Sequence, residues 1–237
     1  MDERAPEPVA AEVQAARRRD KFVGLCVITA AFGIALGISW WAKVASRPER
    51  SEPPGPPTTE GIVGYPEQVR PVATLAAARK LTKRRLLRGI VAEGVQSSGT
   101  VDVGEGPGRV RYTFQSPPGE GPQPPREPGT LPRRPYCGKQ TVHLRKEGLV
   151  ADPDIAAYPC SPQYVDPLPE PRCSLRDVWL RALGRGAQPG RLARIEYYRS
   201  QAGPAWRFDI PGTPHRFSLY GDCGRELDAS EAIGAVP

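Results

Sequence analysis

Arg109–Gln115 reads RVRYTFQ, an alternation that sends Val110, Tyr112 and Phe114 to one side of an extended chain and Arg109, Arg111 and Thr113 to the other. A strand of this kind belongs to an antiparallel meander with one face packed and one solvated. Before it, Ile90–Val95 and Thr100–Val103 read as strands, set off by the turn compositions Gln96-Ser97-Ser98-Gly99 and Gly104–Gly108. After it, Thr141–Arg145 resumes the period of two, with Val142 and Leu144 inward and His143 outward. Arg191–Tyr198, Ala205–Ile210 and His215–Tyr220 complete the strands. Trp206, Phe208 and Ile210 share one face, as do Phe217 and Leu219.

Two helices precede these runs. Pro71 suits a first helical turn, and Val72, Leu75 and Ala76 follow at helical spacing. Ser174 with Asp177 matches a capping box, Leu175, Val178, Trp179 and Ala182 form one apolar stripe, and Gly184 suits the stop. Each helix thus opens a meander, and residues 71–150 and 174–223 read as a repeat. Arg85-Leu86-Leu87-Arg88-Gly89-Ile90 parallels Arg191-Leu192-Ala193-Arg194-Ile195. The expected fold is α+β: a domain over 61–223 built from two helix-plus-antiparallel-meander units packed in layers, behind an N-terminal transmembrane helix. Residues 117–135 carry eight prolines and read as an insertion in the first unit. Residues 224–237 read as a flexible tail.

The transmembrane expectation rests on Phe22–Ala42 (FVGLCVITAAFGIALGISWWA), twenty-one residues without a charge. A helix of that length crosses a hydrocarbon core of about 30 Å. Trp40 and Trp41 sit where an interfacial aromatic belt belongs, and Lys43 follows at once, so the span is taken as 22–44. A cleaved signal peptide is the competing reading. Arg17, Arg18, Arg19 and Lys21 crowd the N-terminal flank, so the positive-inside rule places the 1–21 tail in the cytoplasm and the domain outside it, on the far side of an inner membrane. Residues 45–60 hold five prolines and read as a semi-rigid linker. Gly33 and Gly37 form a GxxxG spacing through which two such helices could dimerise.

The net charge is +7, and residues 61–237 carry all of the excess, with 25 basic and 18 acidic groups. A basic domain outside the cytoplasm is drawn to anionic lipid or acidic polymers, and nucleic acid is not an expected partner. Arg79, Lys80, Lys83, Arg84, Arg85 and Arg88 are its densest basic cluster, read either as a solvated helix end or as an anion-binding patch. Arg111, Arg145, Arg194 and Arg207 all fall on polar strand faces, which makes one sheet surface basic. Cys137, Cys160, Cys173 and Cys223 lie beyond the span, an even count that reads as two disulfides. Sequence proximity pairs Cys137 with Cys160 and Cys173 with Cys223.

No CxxC, P-loop, GxGxxG, HExxH or GxSxG spacing is present, so no cofactor, metal site or catalytic residue is expected. The two histidines, His143 and His215, lack a local partner motif. The sequence therefore reads as a membrane-anchored binding, scaffold or accessory module that meets an envelope protein or anionic polymer. A hydrolase or transferase using His143 or His215 is one alternative, and attachment to anionic lipid or polysaccharide through Arg79–Arg88 another.

Overall fold

The computed structural model describes residues 54–123, 135–159 and 167–233. The apolar run at 22–42, with Gly33 and Gly37, lies outside them, as do Cys160 and most of the 117–135 insertion. Among the described residues no helix is long and apolar enough to cross a membrane.

Among the described residues two helices, α1 (Pro71–Lys80) and α2 (Leu175–Leu183), accompany eight strands: β1 (Leu86–Val95), β2 (Arg109–Gln115), β3 (Tyr136–Arg145), β4 (Gly148–Ala151), β5 (Ile155–Pro159), β6 (Ala193–Ser200), β7 (Gly203–Asp209) and β8 (Arg216–Tyr220). They form a single antiparallel sheet in the order β4-β3-β2-β1-β6-β7-β8, with β5 beside β4 against β3. This corrects the expected α+β arrangement of two layered helix-plus-meander units behind a transmembrane helix. The described chain is mostly one sheet with two helices, because β1 pairs directly with β6, Ile90 opposite Tyr197 and Ala92 opposite Ile195. Each of these strands would otherwise leave an edge of unpaired backbone groups, and pairing satisfies both.

Four further expectations shift. Thr100–Val103 makes isolated bridges, Val101 to Val69 and to Val95, and no ladder. The β3 strand begins at Tyr136, five residues before the alternation recovers it. The proline-rich stretch after Ala151, where the sequence predicts no strand, contains β5. Residues 225–233, read as a flexible tail, dock on the domain: Leu227 N–H donates to the Ser218 carbonyl at 2.9 Å, and Gln201 N–H to that of Ile233 at 3.2 Å.

The apolar sheet face and the inner sides of both helices form one core. Trp179 of α2 meets Phe208 edge-on at 5.0 Å, and Phe208 stacks on Phe217 at 4.9 Å. Two buried aromatic polar tips are bonded to backbone. The Trp179 indole donates to the Val95 carbonyl at 3.2 Å, and the Tyr112 hydroxyl to that of Pro71 at 2.8 Å. These two bonds fix α2 to the end of β1 and the start of α1 to β2. Ser174 and Asp177 form the reciprocal capping box that opens α2. Gly99 has φ +80°, and a Cβ there would come within 2.4 Å of the Arg176 nitrogen, so the turn after β1 seats against this same helix start.

A disulfide joins Cys173 to Cys223, residues 50 apart, and ties the entry of α2 to the exit of β8. Cys137 is buried and disulfide-bonded as well, while its expected partner Cys160 is outside the described residues. Replacing Cys173 and Cys223 together with serine should lower unfolding free energy by about 2–4 kcal/mol, read from urea denaturation without reductant. A second expectation concerns tyrosine ionisation. Burial pushes Tyr197 up to about 12 and Tyr112 further in the same direction. Their contribution to stability is intact below the ordinary tyrosine value near 10 and is lost as pH climbs above it. In an absorbance titration these two phenols should ionise later than exposed tyrosines, with Tyr112 the later of the two, and Tyr112→Phe should remove that last component.

Candidate functional site

The six residues of the Arg79–Arg88 cluster do not form one patch. Arg79, at the end of α1, pairs with Glu170 at 2.6 Å. Arg84 makes a two-pronged contact with Asp154, Nε to Oδ1 at 2.8 Å and Nη2 to Oδ2 at 2.5 Å, with both side chains largely buried. Its guanidinium lies flat on Gly138, where an added Cβ would fall 2.0 Å from Cζ. Gln140 holds the same linker by accepting from the Lys83 N–H at 2.9 Å and the Thr82 hydroxyl at 3.0 Å. Arg84 is therefore a fastener between the α1–β1 linker and β3. Lys80, Lys83 and Arg85 are exposed. Arg88 goes elsewhere: the register slips between Leu87 and Gly89, and this bulge turns Arg88 to the opposite sheet face.

Among the described residues no helix packs on that opposite face, and register brings residues from distant strands into rows across it. One row runs His143, Arg111, Val91, Glu196, Arg207 and Ser218 over β3, β2, β1, β6, β7 and β8. Charges divide along it. On the β6–β8 side each cation has a carboxylate: Arg207 with Glu196 at 3.4 Å, Arg216 with Asp209 at 3.0 Å, and Arg194 with Glu93 of β1 at 3.8 Å. On the β1–β3 side Arg111 and Arg145 are exposed, and among the described residues neither has a carboxylate within ion-pair distance. Lys139 lies on this side too, its ammonium 4.6 Å from the centre of the Tyr158 ring. On this face, among the described residues, the cations without a carboxylate partner therefore gather over β2 and β3.

The polar alternation of RVRYTFQ made Arg109 and Arg111 legible, and Arg145, Arg194 and Arg207 were read the same way. Lys139 and Tyr158 were missed because their strands begin inside proline-rich sequence. Arg88 was assigned to a helix-end cluster because a bulge leaves no trace in periodicity.

The β6–β8 half of the face is partly covered. Residues 225–233 lie over it, with Leu227 packed on Tyr198 and Ala205 and the Tyr198 hydroxyl donating to the Ala232 carbonyl at 2.7 Å. Arg225 grips Glu231 with both nitrogens and holds its carboxyl down at about 2. Among the described residues no such segment packs over the β1–β3 half.

His143 faces Asp152, Nε2 to Oδ2 at 2.8 Å. The carboxylate that a general base requires is present, but among the described residues no hydroxyl or thiol is hydrogen-bonded to this imidazole. His215 lies in the turn before β8, its N–H on the Thr213 hydroxyl at 3.3 Å. Among the described residues no group of three His, Cys, Asp or Glu side chains converges as metal ligands would.

Arg84→Ala should cost about 3 kcal/mol, because it strands the Asp154 carboxylate in a largely buried place. Gly138→Ala should also destabilise by displacing the guanidinium. Neither should change anion binding per folded molecule, measured by salt-dependent retention beside urea denaturation. Compared with known proteins, the chain matches no family model, no curated protein and no solved structure.

Proposed function

We propose that this protein is a binding module that engages an anionic polysaccharide through the open face of β1–β3. One observation carries the reading: Arg111 and Arg145 stand exposed on the β2–β3 face without carboxylate partners among the described residues, while the cations across the seam are neutralised. Unpaired charges on one flat surface attract a polyanion at long range and release it in salt. Among the described residues the large exposed apolar side chains are Val63, Ile155, Leu180, Leu192 and Ile233; Ile155 stands opposite Lys139 on the outermost strand and the others belong to separate segments, so they form no apolar centre of the kind typical of protein interfaces. That favours a polymer over an acidic protein. Binding, and not turnover, is the proposed role, since His143 has a carboxylate beside it but, among the described residues, no hydrogen-bonded hydroxyl or thiol.

The proposed location is an inner membrane, with the domain on its outer side. The apolar run at Phe22–Ala42, the basic flank before it and disulfide-bonded cysteines beyond it support this. Pairing of two chains through Gly33 and Gly37 belongs to the same proposal.

The full chain in detergent micelles should be retained on immobilised polygalacturonate and elute with salt. The double variant R111E/R145E should bind about tenfold more weakly at moderate salt, with an unchanged urea midpoint. Unaltered retention of that variant would reject the open face as the binding surface. Equal loss on reversing Lys80, Lys83 and Arg85 would restore the linker as the site.

A further inference from the structure

We infer that the depression beside the β1 bulge is a subsite for one acidic sugar unit, an inference that deepens the polysaccharide reading and rests on it. The depression has a volume of about 210 Å³, below the roughly 300–1,000 Å³ of pockets that enclose drug-sized ligands. Its floor is low because Gly89 has no side chain; a Cβ there would stand 3.1 Å from the Tyr197 carbonyl. Val91 supplies an apolar patch in that floor, and register places Arg111 on one side of it and Glu196 on the other. With strands about 4.8 Å apart, the backbone positions of Arg111 and Glu196 stand about 10 Å from each other, with Val91 between them.

That sequence of groups fits a ligand with an anion at one end, C–H bonds beneath and hydroxyl donors at the other end. Arg111 and Lys139 take the anion. Glu196 is paired with Arg207 on one oxygen at 3.4 Å and keeps acceptor capacity for ligand hydroxyls. The Thr113 hydroxyl also lines the depression and makes no hydrogen bond among the described residues. Tyr158 and Tyr198 form the walls, each braced by a cation, Lys139 at 4.6 Å and Arg207 at 4.4 Å. A bare anion would meet repulsion from Glu196, and a neutral sugar would leave the cations unused. An acidic peptide side chain brings the anion without the hydroxyls.

The test is competition with the full chain in micelles on immobilised polygalacturonate, using galacturonate, galactose 1-phosphate, galactose and acetate at equal ionic strength. Galacturonate or galactose 1-phosphate should displace the protein at concentrations at least tenfold below acetate and galactose, and the stronger of the two names carboxylate or phosphate as the anion. Displacement by acetate as readily as by either acidic sugar overturns the subsite, and so does displacement by galactose. Glu196→Gln supplies a readout of opposite sign. A sugar subsite predicts weaker galacturonate binding, about tenfold, whereas a simple basic patch relieved of a carboxylate predicts tighter binding. If R111E/R145E abolishes retention while Glu196→Gln leaves galacturonate affinity equal or better, the polysaccharide reading stands and the subsite falls. If neither variant changes anything, both fall.

Discussion

The pairing of β1 with β6 is the constraint on which the rest of the domain depends. It joins the first strand after α1 to the first strand after α2, so neither half keeps its own edge and the two apolar faces merge into one core. Tertiary contacts then cross the seam. The Trp179 indole on α2 donates to the Val95 carbonyl of β1, and Leu168 donates its N–H to the Leu87 carbonyl at 3.0 Å. Disrupting the seam would uncover two strand edges and split the aromatic packing at once, which makes the sheet a cooperative unit.

The same seam organises the charges on the far face. Because strands alternate, positions that bury an aliphatic or aromatic side chain under the helices alternate with positions on the opposite face. The β6–β8 half offers arginines interleaved with Glu196 and Asp209, and the C-terminal segment lies over part of it. The β2–β3 part offers cations with little to neutralise them. Net charge alone would not distinguish an evenly spread excess from this arrangement; it is register that concentrates it.

Much of the local structure was legible in the sequence because local physics decides it. Pro71 and the Ser174–Asp177 box mark helix starts through backbone hydrogen-bonding needs that any chain shares, and the alternation through Val110, Tyr112 and Phe114 reports one buried face. Connections between distant segments were not legible. Nothing in Ile90 or Tyr197 names the other as a neighbour, and the reading of two stacked units followed from treating each meander as complete. The basic cluster at Arg79–Arg88 misled for a related reason. Closeness in sequence made six cations look like one surface, whereas Glu170 and Asp154 claim two of them and a bulge sends Arg88 through to the other side. The open-face site needed residues from β1, β2, β3 and β6 together, an arrangement that only the folded register provides.

The stacking of Arg84 on Gly138 has an evolutionary consequence. The guanidinium occupies the volume that any side chain at 138 would need, and Asp154 holds it there. Neither position can drift alone: a larger residue at 138 is excluded while the arginine remains, and loss of the arginine leaves both a void above the glycine and an unmatched acid. Across descendants of this chain, the glycine, the arginine and the aspartate should therefore be inherited as a set or replaced as a set.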